Sequence, residues 1–404
     1  MPTKISVIGD VMTEYELLST LKKEDGSYDY DPVFLPLKGL LSESDFRIAN
    51  LETPVAGEDL GYSPNYYSFN APESLVTALQ KIGIDAVSTA NNHAADRKGE
   101  GFRRTIASLD RLGMPHTGTY LDPEEKNRNL YFTVGGTRFA MIAYTYGVNG
   151  WGALKPEEGL KDTMVNLLTS PKDKRVAPTP KYFSDAIQYI EERTGYTFDW
   201  TEKVVLKKLF KVPVPYPDDF SHESSGPYLE RLKEDYNEAR KHADVVLFVP
   251  HVGGQFNTEP GALSKYLIGK AVEMGFDVVT AAHSHTTQMA EWCGHCPTFY
   301  SLGNVSMSAR TPYAQPQTLP NFGLVAHLYV DGGKIVRSSY SIFKIVEDGD
   351  ENMRVVPVDE LYAELKDADK KAALVSDVAS VALRVSGFTA DGADVIRREY
   401  ELNA

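Results

Sequence analysis

Cysteine is scarce in this chain, with two among 404 residues. They stand as Cys293 and Cys296, around Gly294 and His295. A zinc finger needs a second ligand pair and a redox pair needs a thioredoxin-like setting, and neither accompanies them. Free thiols packed in the fold are the simpler expectation. Positive charge is also short: 42 Lys and Arg face 56 Asp and Glu, for a net charge of -14. No basic cluster offers a surface to phosphate or anionic lipid, which argues against nucleic acid and membrane partners. Long apolar runs are missing too, since no window approaches the roughly 18 residues of a membrane span. The opening MPTKISVIGD puts one positive charge before a short apolar stretch that runs into Gly9 and Asp10. That reads as a first core strand, not a signal peptide, so the expected compartment is the cytoplasm.

What is present is a layered pattern. Short apolar strands are expected at 4–9, 46–50, 85–90, near 139–144, 244–250, 276–282 and 298–302. Amphipathic helices fall between them, from Pro72 to about Ile82, about Glu100 to Leu112 and Leu263 to Met274. Such alternation predicts an α/β sheet protein. A hairpin is expected around Asp331-Gly332-Gly333, joining 322–330 to 335–346. Between 147 and 242 the alternation stops. That insertion carries Trp151, Trp200, the run VPVPYPDD from Val212 to Asp219, and helical pieces near 185–193, 201–211 and 228–242. A stretch this long between core elements is either a cap or substrate lobe or packing decoration. Residues 1–346 then form the main domain, and 347–404 read as a charged, helical tail packed on it.

The strands end on polar residues that carry chemistry. FDVVTAAHSH ends on His283 and His285, two imidazoles in one strand-end turn, a pattern typical of metal sites. The other strand ends add Asp10, then Asn50 and Glu52, then Asn92 and His93 with Asp96 close behind, and His251. Mixed oxygen and imidazole donors suit zinc, manganese, iron or nickel, whereas calcium or magnesium sites use oxygen alone. A glutamate between ligand groups can bridge two ions.

In order, GDVM at 9–12, NLETPV at 50–55, ANNHAAD at 90–96, HVGG at 251–254, AHSH at 282–285 and YSLGN at 300–304 resemble the CapA-type capsule and poly-γ-glutamate proteins of the calcineurin-like metallophosphoesterase superfamily. The resemblance covers roughly 4–145 and 244–345. It implies a four-layer α/β/β/α sandwich with a metal site at one edge of its paired sheets. It also implies that Asp10, Glu52 and His285 hold one ion while Glu52 reaches a second held by Asn92, His251 and His283, with His93 exchanging protons. The superfamily has Asp-x-His in its first motif, and here the third position is Met12. One firmly held ion, at Asn92, His251 and His283, is therefore expected, beside a depleted second site.

Members resembling the CapA type have also been associated with peptide epimerisation in lasso-peptide maturation. A single ion on a carbonyl acidifies the neighbouring Cα proton, and acid/base groups on opposite faces can then remove and return it. Asp10, if no ion takes it, and His295 are the candidates; the alternative for His295 is a solvent-exposed turn histidine. The leading expectation is thus a cytoplasmic, metal-dependent peptide epimerase without an organic cofactor. The alternatives are a metal-dependent hydrolase of a phosphoester or of a γ-glutamyl or peptide amide, a capsule biosynthesis protein, and a binding module that has lost its chemistry.

Overall fold

The structure is a computed structural model that describes residues 2–65, 67–149, 154–170, 181–210, 218, 222–308, 310–348 and 352–403. Trp151 and all of the Val212–Asp219 run except Asp218 lie outside them. Two sheets carry the fold. The first contains β1 (Thr3–Val11), β2 (Phe46–Leu51), β3 (Ala86–Ser88) and β4 (His116–Thr117), with β11 (Phe322–Asp331), β12 (Lys334–Asp348), β13 (Asn352–Pro357) and β14 (Tyr400–Glu401). Its order is β13-β12-β11-β1-β2-β3-β4, and β14 also pairs with β12. The second runs β5-β6-β7-β8-β10-β9. Its strands are β5 (Leu130–Val134), β6 (Thr137–Thr145), β7 (Val245–His251), β8 (Val278–Thr280), β9 (Ala290–Cys293) and β10 (Cys296–Phe299).

Strand β1 shows why the layers stack as they do. Ile5 and Val7 point one way, into a cluster with Phe139, Met141, Val245 and Leu247 of the second sheet. Ile8 points the other way and packs with Ala49, Leu75, Val76, Leu79 and Leu109, the last four from the helices Ser74–Lys81 and Lys98–Leu112. Side chains alternate between faces with a period of two, so a strand covered on both faces can carry apolar residues at neighbouring positions, as Val7 and Ile8 do here. On the far side of the second sheet, Ile142, Phe248 and Val279 meet Leu229 and Leu232 of the helix Gly226–His242, and Leu263 and Leu267 of the helix Ala262–Met274. The four layers are therefore α/β/β/α, as expected.

The helix Gly226–His242, which falls inside the insertion by sequence, is a structural part of the outer layer over the second sheet. The helices Lys181–Thr194 and Trp200–Leu209 have a small apolar cluster of their own, Phe183 and Ile187 with Phe198 and Leu206. The tail, read as helical, supplies β13 and β14 as well as the helices Val358–Glu364 and Ala368–Ser386. Leu374, Val378, Val381 and Val385 from the longer helix join the inter-sheet cluster. The expected hairpin turns on Gly332 and Gly333, both at positive φ (54° and 73°), the backbone that a two-residue turn between twisted strands requires.

Three strands are shorter than their apolar runs. Predicted spans at 85–90, 276–282 and 298–302 are observed as 86–88, 278–280 and 296–299. Beyond β10 the chain crosses from the second sheet to the first: Asp10 N–H donates to Gly303 O (3.0 Å) and Val305 N–H to Asp10 O (2.8 Å). Gly9 permits the crossing, since a Cβ at that position would sit 2.0 Å from Gly303 O. Among the described residues no helix is long and apolar enough to cross a membrane.

Candidate metal centre

Strands β1, β2 and β3 run parallel in the first sheet, and β6, β7, β8 and β10 run parallel in the second. Parallel strands bring their carboxyl ends to one edge, where ligand sites of open α/β sheets form. At that edge Asp10 ends β1, Glu52 follows β2, Asn92 and His93 follow β3, His251 ends β7, and His283 and His285 follow β8. All seven are buried, and Asp10 and Glu52 have no exposed surface at all.

The side chains converge as two overlapping groups, Asp10, Glu52 and His285, and Glu52, His251 and His283, each with ligand-type atoms within 4.8 Å of one another. Glu52 Oε1 lies 3.3 Å from His251 Nε2 and 3.9 Å from His285 Nε2. His251 Nε2 also faces His283 Nδ1 at 3.0 Å and Asn92 Oδ1 at 2.7 Å. Asp10 stands 3.6 Å from a ring nitrogen of His251 and 3.6 Å from one of His285. Its own oxygens accept from Asn50 Nδ2 (2.7 Å) and from the backbone N–H of His283 (3.0 Å).

Two observations test whether a divalent ion fits. Both carboxylate oxygens of Glu52 are buried without any hydrogen-bond partner among the described residues. Orphaned buried oxygens are costly, and a cation is the partner that two carboxylates and three imidazoles share. The protonation states agree. Burial holds His251 down to about 4 and His285 down to about 3, which leaves neutral imidazoles with lone pairs to offer. Burial pushes Asp10 up to about 8, with the Glu52 charge adding to it, and pushes Glu52 up to about 8 as well. Two carboxyls so close in a dry site lack the positive charge that would keep both ionised. The residues present therefore fit a bound divalent metal, by donor chemistry and by unmet electrostatic need.

The turn that carries His283 and His285 is strained. Their φ angles are +109° and +53°, in the region L-residues rarely adopt, and such outliers concentrate at functional sites. Asn304 holds His285 through Nδ1 at 2.9 Å. His93 sits against Asp96, with Nδ1 to Oδ2 at 2.6 Å, and its Nε2 faces Glu52 at 3.9 Å. Burial, the largest single influence, lowers the His93 pKa, but the Asp96 charge and hydrogen bond together with the Glu52 and Asp10 charges outweigh it and the net direction is up.

Met12 supplies no ligand. It is buried in an apolar cluster with Phe69, Phe256, Met307 and Tyr313, beside three acid or imidazole donors that remain for the first ion. The structure does not bring His295 to the site. It is exposed in the two-residue turn between β9 and β10, at the end of β10 opposite to the one that leads to the metal edge. A histidine between two strand-flanking cysteines carries no sequence mark of which end of the strand it occupies. Sequence reasoning missed the supporting residues Asn149 and Tyr146. Asn149 bonds Asn92, and the Tyr146 ring lies 4.6 Å from that of His283. Asn50, Asp96 and Asn304 stood in the noted motifs without a role, and a strand-end polar side chain next to a ligand was the available signal.

A two-sheet α/β sandwich with paired metal-ligating groups at its strand ends defines the class. The chain belongs to the bacterial capsule synthesis protein family, PGA_cap, whose sequence pattern matches residues 4–308. It is 22% identical over 307 residues to the capsule biosynthesis protein CapA of Bacillus anthracis, covering 74% of this chain and 58% of that protein. To the PGA biosynthesis protein CapA of Bacillus subtilis it is also 22% identical, over 74% of this chain and 62% of the relative. The chain thus spans about three fifths of the length of these relatives. Solved structures overlay loosely. The sulfate thiohydrolase SoxB of Thermus thermophilus overlays at a TM-score of 0.38 and 12% identity, covering 84% of this chain and 44% of that one. A 5'-nucleotidase of Candida albicans overlays at 0.38 and 11%, covering 82% and 48%. Overlays at that level carry no argument about this chain.

Proposed function

We propose that this protein is a metal-dependent hydrolase. The observation that carries the reading is Glu52, shared between two ligand groups with His93 and Asp96 beside it. When bound, a pair of divalent ions supplies Lewis acidity and a nucleophile at neutral pH. The chain's own residues do the rest. Asp10, Glu52, Asn92, His251, His283 and His285 hold the ions. His93, kept protonated more readily by Asp96, gives a proton from Nε2 to the leaving group as the bond breaks. Burial of every one of these groups excludes bulk water, which strengthens each charge interaction.

Cα epimerisation needs two acid/base groups on opposite faces of one carbon. Asp10 is occupied within the first ligand group and His295 is remote, so the geometry favours hydrolysis. The names of the relatives, capsule and PGA biosynthesis, direct the choice of substrate to a γ-glutamyl amide first, with a phosphoester as the second class. The full chain loaded with manganese or zinc is assayed on poly-γ-glutamate, γ-glutamyl anilides and aryl phosphodiesters, with solvent deuterium followed by mass spectrometry. Hydrolysis abolished by chelation and by His93→Ala supports the reading. Deuterium entering a peptide Cα without cleavage overturns it in favour of a peptide epimerase.

A further inference from the structure

Asparagine is an ambiguous metal ligand, because half a turn of its amide replaces an acceptor oxygen with an NH2 group that has no lone pair to give. Something must fix the amide of Asn92. Its oxygen faces His251 Nε2 at 2.7 Å, and the same nitrogen has His283 Nδ1 at 3.0 Å and Glu52 Oε1 at 3.3 Å, so Oδ1 is turned into the ligand cluster. On the other side, Asn92 Nδ2 donates to Asn149 Oδ1 at 3.2 Å. The backbone of Asn149 is tied to the same residue, its N–H donating to Asn92 O at 2.8 Å. The Asn149 amide nitrogen lies 3.3 Å from His93 Nδ1. A half-buried residue at the start of the insertion is thus in contact with a ligand and with the residue that follows it.

We propose that Asn149 is a positioning residue for the metal site: by accepting from Asn92 Nδ2 it keeps Asn92 Oδ1 aimed at the ion that Glu52, His251 and His283 hold. The inference rests on the metal-site reading above. It assigns part of the insertion a role at the site, since reversal of the Asn92 amide would set its oxygen against the Asn149 oxygen, two acceptors with no proton between them, in place of the 3.2 Å hydrogen bond. The backbone bond from Asn149 N–H survives any side-chain change, so substitution removes the orientation and leaves the chain path.

The test is calorimetric titration of the full, metal-free chain with manganese or zinc, together with the melting temperature of the metal-free protein. Asn149→Ala is expected to weaken binding by about 10- to 100-fold, the usual effect of removing a partner that orients a ligand. The metal-free melting temperature should shift by no more than about 2 °C. In an Asn92→Ala background the same substitution should have no further effect on affinity, because nothing is left to orient. Asn149→Asp keeps the acceptor and should bind at least as tightly as about one third of the wild-type affinity. Unchanged affinity in Asn149→Ala, an equal loss in the Asn92→Ala background, or a loss in Asn149→Asp as large as that in Asn149→Ala overturns the inference. A wild-type chain that binds neither ion overturns the metal-site reading itself, and this inference with it.

Discussion

His93 Nδ1 and Asp96 Oδ2 are 2.6 Å apart, and the imidazole that they fix lies flat against Phe69, with ring centroids 4.1 Å apart. The contact leaves Nε2 as the nitrogen that faces Glu52, on the side where the ligand groups would hold an ion. An acid works while protonated, so activity should fall as pH rises through the His93 pKa. Asp96→Asn removes the charge that raises that pKa, and the alkaline limb of the rate profile should move to lower pH. His93→Ala should lower kcat by about 100- to 10,000-fold with metal content unchanged. His295→Ala, at an exposed turn, should alter neither rate nor metal content.

Asp10 and Glu52 predict protons released on metal binding. Each is pushed up to about 8, chiefly by burial, so at pH 6.5 the metal-free site retains protons that a cation displaces. Calorimetry in buffers of different ionisation heat should find at least about one proton released per chain at pH 6.5 and close to none at pH 9.5. The same shifts set the sign of stability. Below about pH 6.5 the suppressed His251 and His285 oppose the pair, since they bind protons only in the unfolded chain; between about pH 6.5 and 8 Asp10 and Glu52 hold protons that the unfolded chain has lost, so stability should fall as pH rises across that window. Thermal melts of chelated protein at about pH 6.5 and pH 8 read this directly, and a melting temperature that rises with pH across that window would count against the buried pair.

Much of this centre was legible in the chain because each ligand ends an apolar strand. Asp10, Glu52, Asn92, His251, His283 and His285 could be collected from strand ends, and their order carried the resemblance. The hairpin at Gly332 and Gly333 and the long helices were readable for the same reason, since turn chemistry and periodicity are local. What stayed hidden depends on contacts between distant segments. No periodicity shows that β13 and β14 return from the tail to the first sheet, or that the helix Gly226–His242 covers the second. Met12 read as a missing ligand, and its apolar partners Phe69, Phe256 and Tyr313 come from three separate loops.

Arg384 illustrates a contact of this kind with a measurable consequence. From the helix Ala368–Ser386 its Nη1 reaches Thr318 O at 2.8 Å and Thr286 Oγ1 at 3.0 Å, bracing the turn that follows His285. Hydrogen bonds from a charged donor contribute about 1.5–3 kcal/mol, so Arg384→Ala should lower stability by an amount in that range. The turn that carries His283 and His285 should be less well held without the brace and metal affinity should fall with it, so denaturant unfolding combined with metal titration should show both losses.

Glu52→Gln separates what the site does for metal from what it does for the fold. Both groups of ligands pass through this one carboxylate, so the substitution should reduce bound metal at both positions, measured as stoichiometry on the purified chain. For the metal-free fold the direction reverses. At pH 8 wild-type Glu52 is poised between its charged and neutral forms, buried and without a donor, whereas glutamine is never ionised. Removing an uncompensated buried charge offsets the cost of burying the amide. The metal-free variant should therefore melt no lower than metal-free wild type at pH 8, and the wild type should gain more from added metal. A variant that melts well below wild type without metal would mean that Glu52 holds the fold by contacts other than those to an ion.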